Sequence, residues 1–215
     1  MDLIITIIEQ VGIAAFAISG AITGIRKQMD LLGVLLLGIV TAVGGGILRD
    51  VIIGETPPMA FRNPSYTIIA CAASLVIFFP CVRSLLNRKH KLFDLILFAL
   101  DTVGMAVFTI VGIQGAMAVL DWYNPFLLGF VGVITGTGGG LLRDVLAGNV
   151  PYMFMKHIYV TASLLGAVCY IYLLPLMVEW LAMLLSVGVI CMVRVLSSRY
   201  RWNLPRAKEF LSECE

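Results

Sequence analysis

Apolar runs of about twenty residues recur from one end of this 215-residue chain to the other, and that property narrows the folds open to it. A helix of about 20 apolar residues crosses the roughly 30 Å hydrocarbon core of a bilayer. Lipid offers no partner for free backbone N–H and C=O groups, so a spanning segment must satisfy them internally. Charged residues make up only 13% of the chain, too few to coat a water-soluble surface of this size. The sequence therefore predicts an all-α integral membrane protein. Seven spans are expected, at about 3–25, 31–54, 65–86, 93–119, 126–148, 157–177 and 180–197. Breakers such as Pro57-Pro58, Asn63-Pro64, Asn124-Pro125 and Pro151 separate them. No linker is long enough to divide domains, so residues 1–197 form one bundle and 198–215 a basic tail.

The placement of charge orients the bundle. Arg26 and Lys27 follow the first span, and Arg83, Arg88, Lys89 and Lys91 follow the third. Lys156 follows the fifth, while Arg194, Arg199, Arg201, Arg206 and Lys208 cluster at the end of the seventh. The other side carries Arg62 with acidic Asp2, Glu55, Asp121 and Glu179. By the positive-inside rule the C-terminus is cytoplasmic and the N-terminus outside, in a plasma (inner) membrane. The first run lacks a basic leader and contains Glu9, which marks a membrane helix instead of a cleavable signal. Five scattered cysteines, Cys71, Cys81, Cys169, Cys191 and Cys214, read as reduced packing residues. His90 and His157 stand far apart, at expected membrane boundaries, and suggest no metal site.

Within this pattern lies a duplication. Residues 44–50, Gly-Gly-Gly-Ile-Leu-Arg-Asp, reappear at 138–144 as Gly-Gly-Gly-Leu-Leu-Arg-Asp. A shift of 94 positions superposes Thr41 through Pro57 on Thr135 through Pro151. With a further two-residue adjustment Gly12, Phe16 and Gly20 fall on Gly104, Phe108 and Gly112. The chain thus divides into repeat 1 (about 3–86), repeat 2 (about 93–177) and an extra helix (about 180–197). Each repeat has an odd number of spans, so the second enters the membrane inverted with respect to the first. Inverted repeats place a working site near the midplane, at interrupted helices in equivalent positions. Gly44, Gly45 and Gly46, with Gly138, Gly139 and Gly140, are expected to break spans two and five and to expose carbonyl oxygens. Close helix packing through small residues is the alternative use of the same glycines.

The charges after the glycines need an explanation of their own. An arginine or aspartate near the bilayer centre costs about 2.5–3.5 kcal/mol on insertion scales. Neighbouring residues on a helix point about 100° apart, so the sequence favours cross-pairing between repeats: Arg49 with Asp144, and Arg143 with Asp50. The alternative is that each arginine snorkels to an interface from the last turns of its span. Thr41, Thr135, Thr137, Ser19, Glu9 and Asp101 are the further candidates for a polar pathway, followed by Thr23, Thr109 and Gln114. Serine and threonine also commonly bond their own preceding helical turn.

The doubled Gly-Gly-Gly-x-x-Arg-Asp-Val on the second and fifth of seven spans resembles the prokaryotic branch of the TRIC family, the trimeric intracellular cation channels. The carrying residues are Gly44–Gly46 with Arg49-Asp50-Val51, and Gly138–Gly140 with Arg143-Asp144-Val145. The eukaryotic branch has Lys-Glu-Val where this chain has Arg-Asp-Val. The resemblance implies a homotrimer in a lipid membrane, each protomer holding its own pore for K⁺ or Na⁺, with no cofactor and no nucleic-acid partner. It also leaves open a small-solute carrier, since bacterial relatives have been proposed to move glycine. An arginine and an aspartate would suit the two ends of such a zwitterion. An enzyme finds no support, because no metal cluster, nucleophile–base pair or phosphate loop is written into the sequence.

Overall fold

The computed structural model describes residues 3–79, 90–120, 123–155, 158–200 and 202. Asp2, Cys81, Arg83, Arg88, Lys89, Asp121, Lys156, His157, Arg201, Arg206, Lys208 and Cys214, with the side chains of His90 and Lys91, lie outside the described residues. The described residues contain helices and no strands. In chain order the helices are α1 (Leu3–Arg26), α2 (Leu31–Ile53), α3 (Met59–Arg62), α4 (Pro64–Phe78) and α5 (His90–Val119). There follow α6 (Pro125–Leu146), α7 (Tyr152–Met155), α8 (Tyr159–Leu173) and α9 (Glu179–Tyr200). Helices α1, α2, α5, α6 and α9 are long and apolar enough to cross a membrane, while α4 and α8 are apolar but span 15 residues each.

Local chemistry sets the helix ends. Asp30 Oδ1 accepts from the Gly33 amide at 2.7 Å and opens α2. Asn124 accepts from the amides of Phe126 and Leu127, with Pro125 at the first helical position of α6. Gly54 and Gly148 then take φ values of +77° and +65°, a conformation that favours glycine. Each lets the chain turn back, so that Glu55 N reaches Asp50 O and Asn149 N reaches Asp144 O, both at 2.8 Å. The short helices α3 and α7 follow these turns. They were not foreseen in the sequence.

Packing repeats along with the sequence. Helix α1 packs on α2 and α4 as α5 packs on α6 and α8, and the two sets meet where α2 crosses α6 and α1 meets α5. Phe16 of α1 and Phe108 of α5 stack across this junction, ring centroids 5.3 Å apart. Helix α9 lies outside the pairing, against α8 and α5.

The expected breaks at the glycine triplets do not occur: α2 and α6 run as unbroken α-helix through both. Helix contact is what the glycines permit. A Cβ on Gly45 would collide with the Thr135 carbonyl oxygen, and one on Gly139 with the Thr41 carbonyl oxygen. One on Gly44 would stand 2.5 Å from Leu142, and one on Gly138 3.0 Å from Leu48. The backbones touch at two reciprocal points, which only residues without side chains allow.

Candidate functional site

Helices α2 and α6 cross at Gly45 and Gly139 and run in opposite directions, so the residues that follow diverge to opposite ends of the bundle. Arg49 and Arg143 each stand four positions beyond the crossing, about 6 Å along their own helix. That geometry separates Arg49 from Asp144 by roughly 13 Å along the bundle and rules out the expected cross-pairing. Each guanidinium instead folds sideways onto its own sequence neighbour. Arg49 Nε donates to Asp50 Oδ1 at 2.7 Å, and Arg143 Nε donates to Asp144 Oδ1 at 2.9 Å. Arginine has the length to cover the 100° between adjacent helical positions. The interfacial alternative also fails, since Arg49 is 9% exposed and Arg143 4%.

The two half-sites share a plan but differ in detail. Near one end of the bundle Arg49 lines a cavity of about 30 Å³ with Glu9, Asp50, Met59 and Tyr66. Asp50 Oδ2 also accepts from the Met59 amide at 2.7 Å, tying α3 to the end of α2. Among the described residues Arg49 forms an ion pair with Asp50 and none with Glu9. At the other end, which carries Arg26, Lys27 and Arg199, Arg143 is held three ways. Its Nη1 donates to Ser19 Oγ at 2.6 Å and to Asp101 Oδ1 at 2.8 Å, in addition to the bond to Asp144. Arg143 forms part of the wall of two openings, of about 860 and 480 Å³. Asp94, Asp101 and Arg194 border the larger; Thr23, Asp144 and Asn149 border the smaller.

Glu9 and Asp101 occupy matching places. The two-residue adjustment that superposes Gly12 on Gly104 also superposes Glu9 on Asp101. Both are buried, at 7% and 4% exposure. Tyr66 and Tyr159 match to within one position of the same shift and stand beside their respective acids. Neither tyrosine stands out in the sequence by its neighbours alone, although sliding the repeat brings both into register.

Arg194 is the larger surprise. Assigned to the basic cluster that ends the seventh span, it is 2% exposed on α9. Its Nη2 donates to Asp101 Oδ2 and its Nε to Thr102 Oγ1, both at 3.3 Å. Its guanidinium carbon lies 4.7 Å from the Phe98 ring centre and 4.5 Å from that of Tyr159.

The hydroxyls behave more simply. Thr41, Thr135 and Thr137 donate to the carbonyls of Leu37, Val131 and Val133 one turn back, and none borders the three cavities described above. Thr23 bonds Ser19 O, Thr109 shares a hydrogen bond with Ser163 at 2.7 Å, and Gln114 donates to Glu179 at 2.8 Å. Cys71, Cys169 and Cys191 are free thiols.

A bundle of apolar spanning helices with two buried Arg-Asp pairs flanking a glycine crossing defines an integral membrane protein of the TRIC-channel fold. Two solved structures match it over nearly their whole length. One, described for conductance through TRIC cation channels, is 37% identical, with a TM-score of 0.79 over 94% of this chain and 96% of that one. The other is the TRIC orthologue from Rhodobacter sphaeroides, 30% identical, with a TM-score of 0.84 over 94% of this chain and 100% of that one. Among curated relatives, the UPF0126 inner membrane protein YadS of Escherichia coli K12 is 34% identical over 203 residues, 92% of this chain and 93% of its own. The chain belongs to the family whose model is described as Glycine transporter, which matches residues 6–80 and 98–175. These relatives are channels and membrane proteins, not enzymes.

Proposed function

We propose that the chain is a channel for monovalent cations, preferring K⁺, with one pathway per protomer running between α2 and α6. The observation that carries this reading is the pair of matching half-sites, each with an arginine, its neighbouring aspartate and a second buried acid, one on either side of the glycine crossing. Carboxylates at both ends supply the negative potential a cation path requires. Arginines engaged by those carboxylates serve as struts, and a strut that lets go is a gate. Phe16, Phe108, Thr41 and Thr135 are buried at the crossing, where on this reading they would close the pathway. The TRIC relatives, named for cation conduction, support the same cargo.

The finer architecture follows the same proposal. The reciprocal glycine contacts favour seven spans arranged as two inverted three-helix repeats plus α9, within a bundle of 1–197 and a tail of 198–215. The end bearing Arg26, Lys27 and Arg199 is the cytoplasmic one, the N-terminus is outside, and the protomers assemble as a homotrimer surrounded by lipid. The permeant ion is substrate, and no cofactor is required.

A second reading has its own support. The family model is described as Glycine transporter, and Glu9 and Arg49 line one small cavity with no ion pair between them among the described residues, an arrangement that suits a zwitterion. Reconstitution separates the two. A channel gives unitary currents in asymmetric KCl that reverse near the K⁺ equilibrium potential. Saturable glycine exchange, accelerated by glycine on the far side and without unitary currents, would establish the carrier instead.

A further inference from the structure

Helix α9 has no counterpart in the repeat, and it is α9 that makes the half-sites unequal. Through Arg194 it brings a second guanidinium to Asp101, so that one carboxylate bridges two arginines: Oδ1 to Arg143 at 2.8 Å and Oδ2 to Arg194 at 3.3 Å. Glu9, in the matching place, stands beside Arg49 and receives no such second cation among the described residues. We infer that Arg194 is a positioning residue for the gate at the basic end, holding Asp101 so that Arg143 stays across the pathway. The inference rests on the reading that cargo passes between α2 and α6.

The geometry supplies the mechanism. With both oxygens engaged, Asp101 cannot rotate toward a passing cation without giving up a bond. Arg194 is itself fixed, its planar group set between Phe98 and Tyr159 and its Nε on Thr102. Releasing Arg194 frees the Asp101 carboxylate to turn. Arg143 then keeps Ser19 and Asp144, a state closer to that of Arg49 on Asp50. Lysine at 194 would retain the charge but offers a point donor that cannot span Thr102 and Asp101 or stack equally well. Arg194→Lys therefore separates position from charge, and Arg194→Gln removes both.

The test uses the full chain with its five native cysteines replaced and Ser19→Cys, beside Arg143, as the reporter in every variant compared; the sulfur remains a weak acceptor for the guanidinium. A membrane-impermeant thiosulfonate is applied from either side of the membrane. Both Arg194 variants should speed modification from the basic end at least threefold and leave the rate from the opposite end unchanged. In bilayers they should raise open probability by a similar factor, with Arg194→Lys keeping the parent's unitary conductance. Unchanged rates and open probability would overturn the inference, as would equal acceleration from both ends, which is general loosening. If Arg194→Gln fails to fold, Arg194→Lys decides. A parent protein without unitary currents would sink the channel reading, while the modification rates would still decide the role of Arg194.

Discussion

Gly45 of α2 lies directly against the carbonyl oxygen of Thr135 on α6, and no side chain fits between them. Gly139 and Thr41 form the mirror contact, so two helices that would ordinarily stand 8–10 Å apart come closer at this crossing.

This contact makes the glycines unequal in a testable way. A methyl group at Gly45 or Gly139 meets backbone, which cannot move aside as a flexible side chain would, whereas Gly46 has nothing within 4 Å of its Cβ position. Gly45→Ala and Gly139→Ala should each destabilise the folded protein by about 1–3 kcal/mol, the usual cost of overpacking. Gly46→Ala should be neutral or slightly stabilising, since alanine is the better helix former. Thermal unfolding in a single detergent would rank the three. Equal effects at 45 and 46 would show that the crossing is looser than described.

The sequence revealed the helices, the duplication and the buried charges because each leaves a one-dimensional trace: an apolar run, a fixed shift, a guanidinium among hydrophobics. Partner choice leaves none. Whether Arg49 meets Asp50 or Asp144 depends on where along their lengths α2 and α6 cross, at Gly45 and Gly139 and not at the charges, which no local pattern encodes. The glycines misled for a related reason, since a triplet that permits a break equally permits contact, and only the neighbour decides. Arg194 was hidden by its position near the end of an apolar run, where a snorkelling arginine and a buried one look the same. The match between Glu9 and Asp101, by contrast, was legible throughout.

Orientation follows from charge and can be checked alone. Arg26, Lys27, Arg194 and Arg199 gather at one end, whereas the far end offers Arg62 paired with Glu55. A reporter fused after Glu215 should read cytoplasmic and one ahead of Leu3 should read periplasmic. Moving Arg26 and Lys27 to glutamine should weaken this bias without changing the number of spans. Finding both termini on the same side would require an even number of spans and remove the inverted repeat.

Charge coupling offers the sharpest comparison between the ends of the bundle. Arg143 and Asp101 are buried and joined at 2.8 Å; neutralising Asp101 takes a carboxylate from two arginines, whereas neutralising Arg143 leaves Asp101 with Arg194. Asp101→Asn should cost about 3–5 kcal/mol and Arg143→Gln, which leaves Asp101 paired with Arg194, about 1.5–3 kcal/mol, and a double-mutant cycle should return a coupling of about 1–3 kcal/mol. The same cycle on Arg49 and Asp144 should return additivity within about 0.5 kcal/mol, because the crossing sends those residues to opposite ends. Glu9→Gln should cost less than Asp101→Asn, since Glu9 forms no ion pair with Arg49 among the described residues. Unfolding free energies of the single and double variants measure all of these. Strong coupling between Arg49 and Asp144 would mean that the helices also adopt an arrangement in which the repeats exchange their charges. Such an arrangement would bring the two half-sites together at the crossing, and the pathway would then have one central gate in place of two unequal ones.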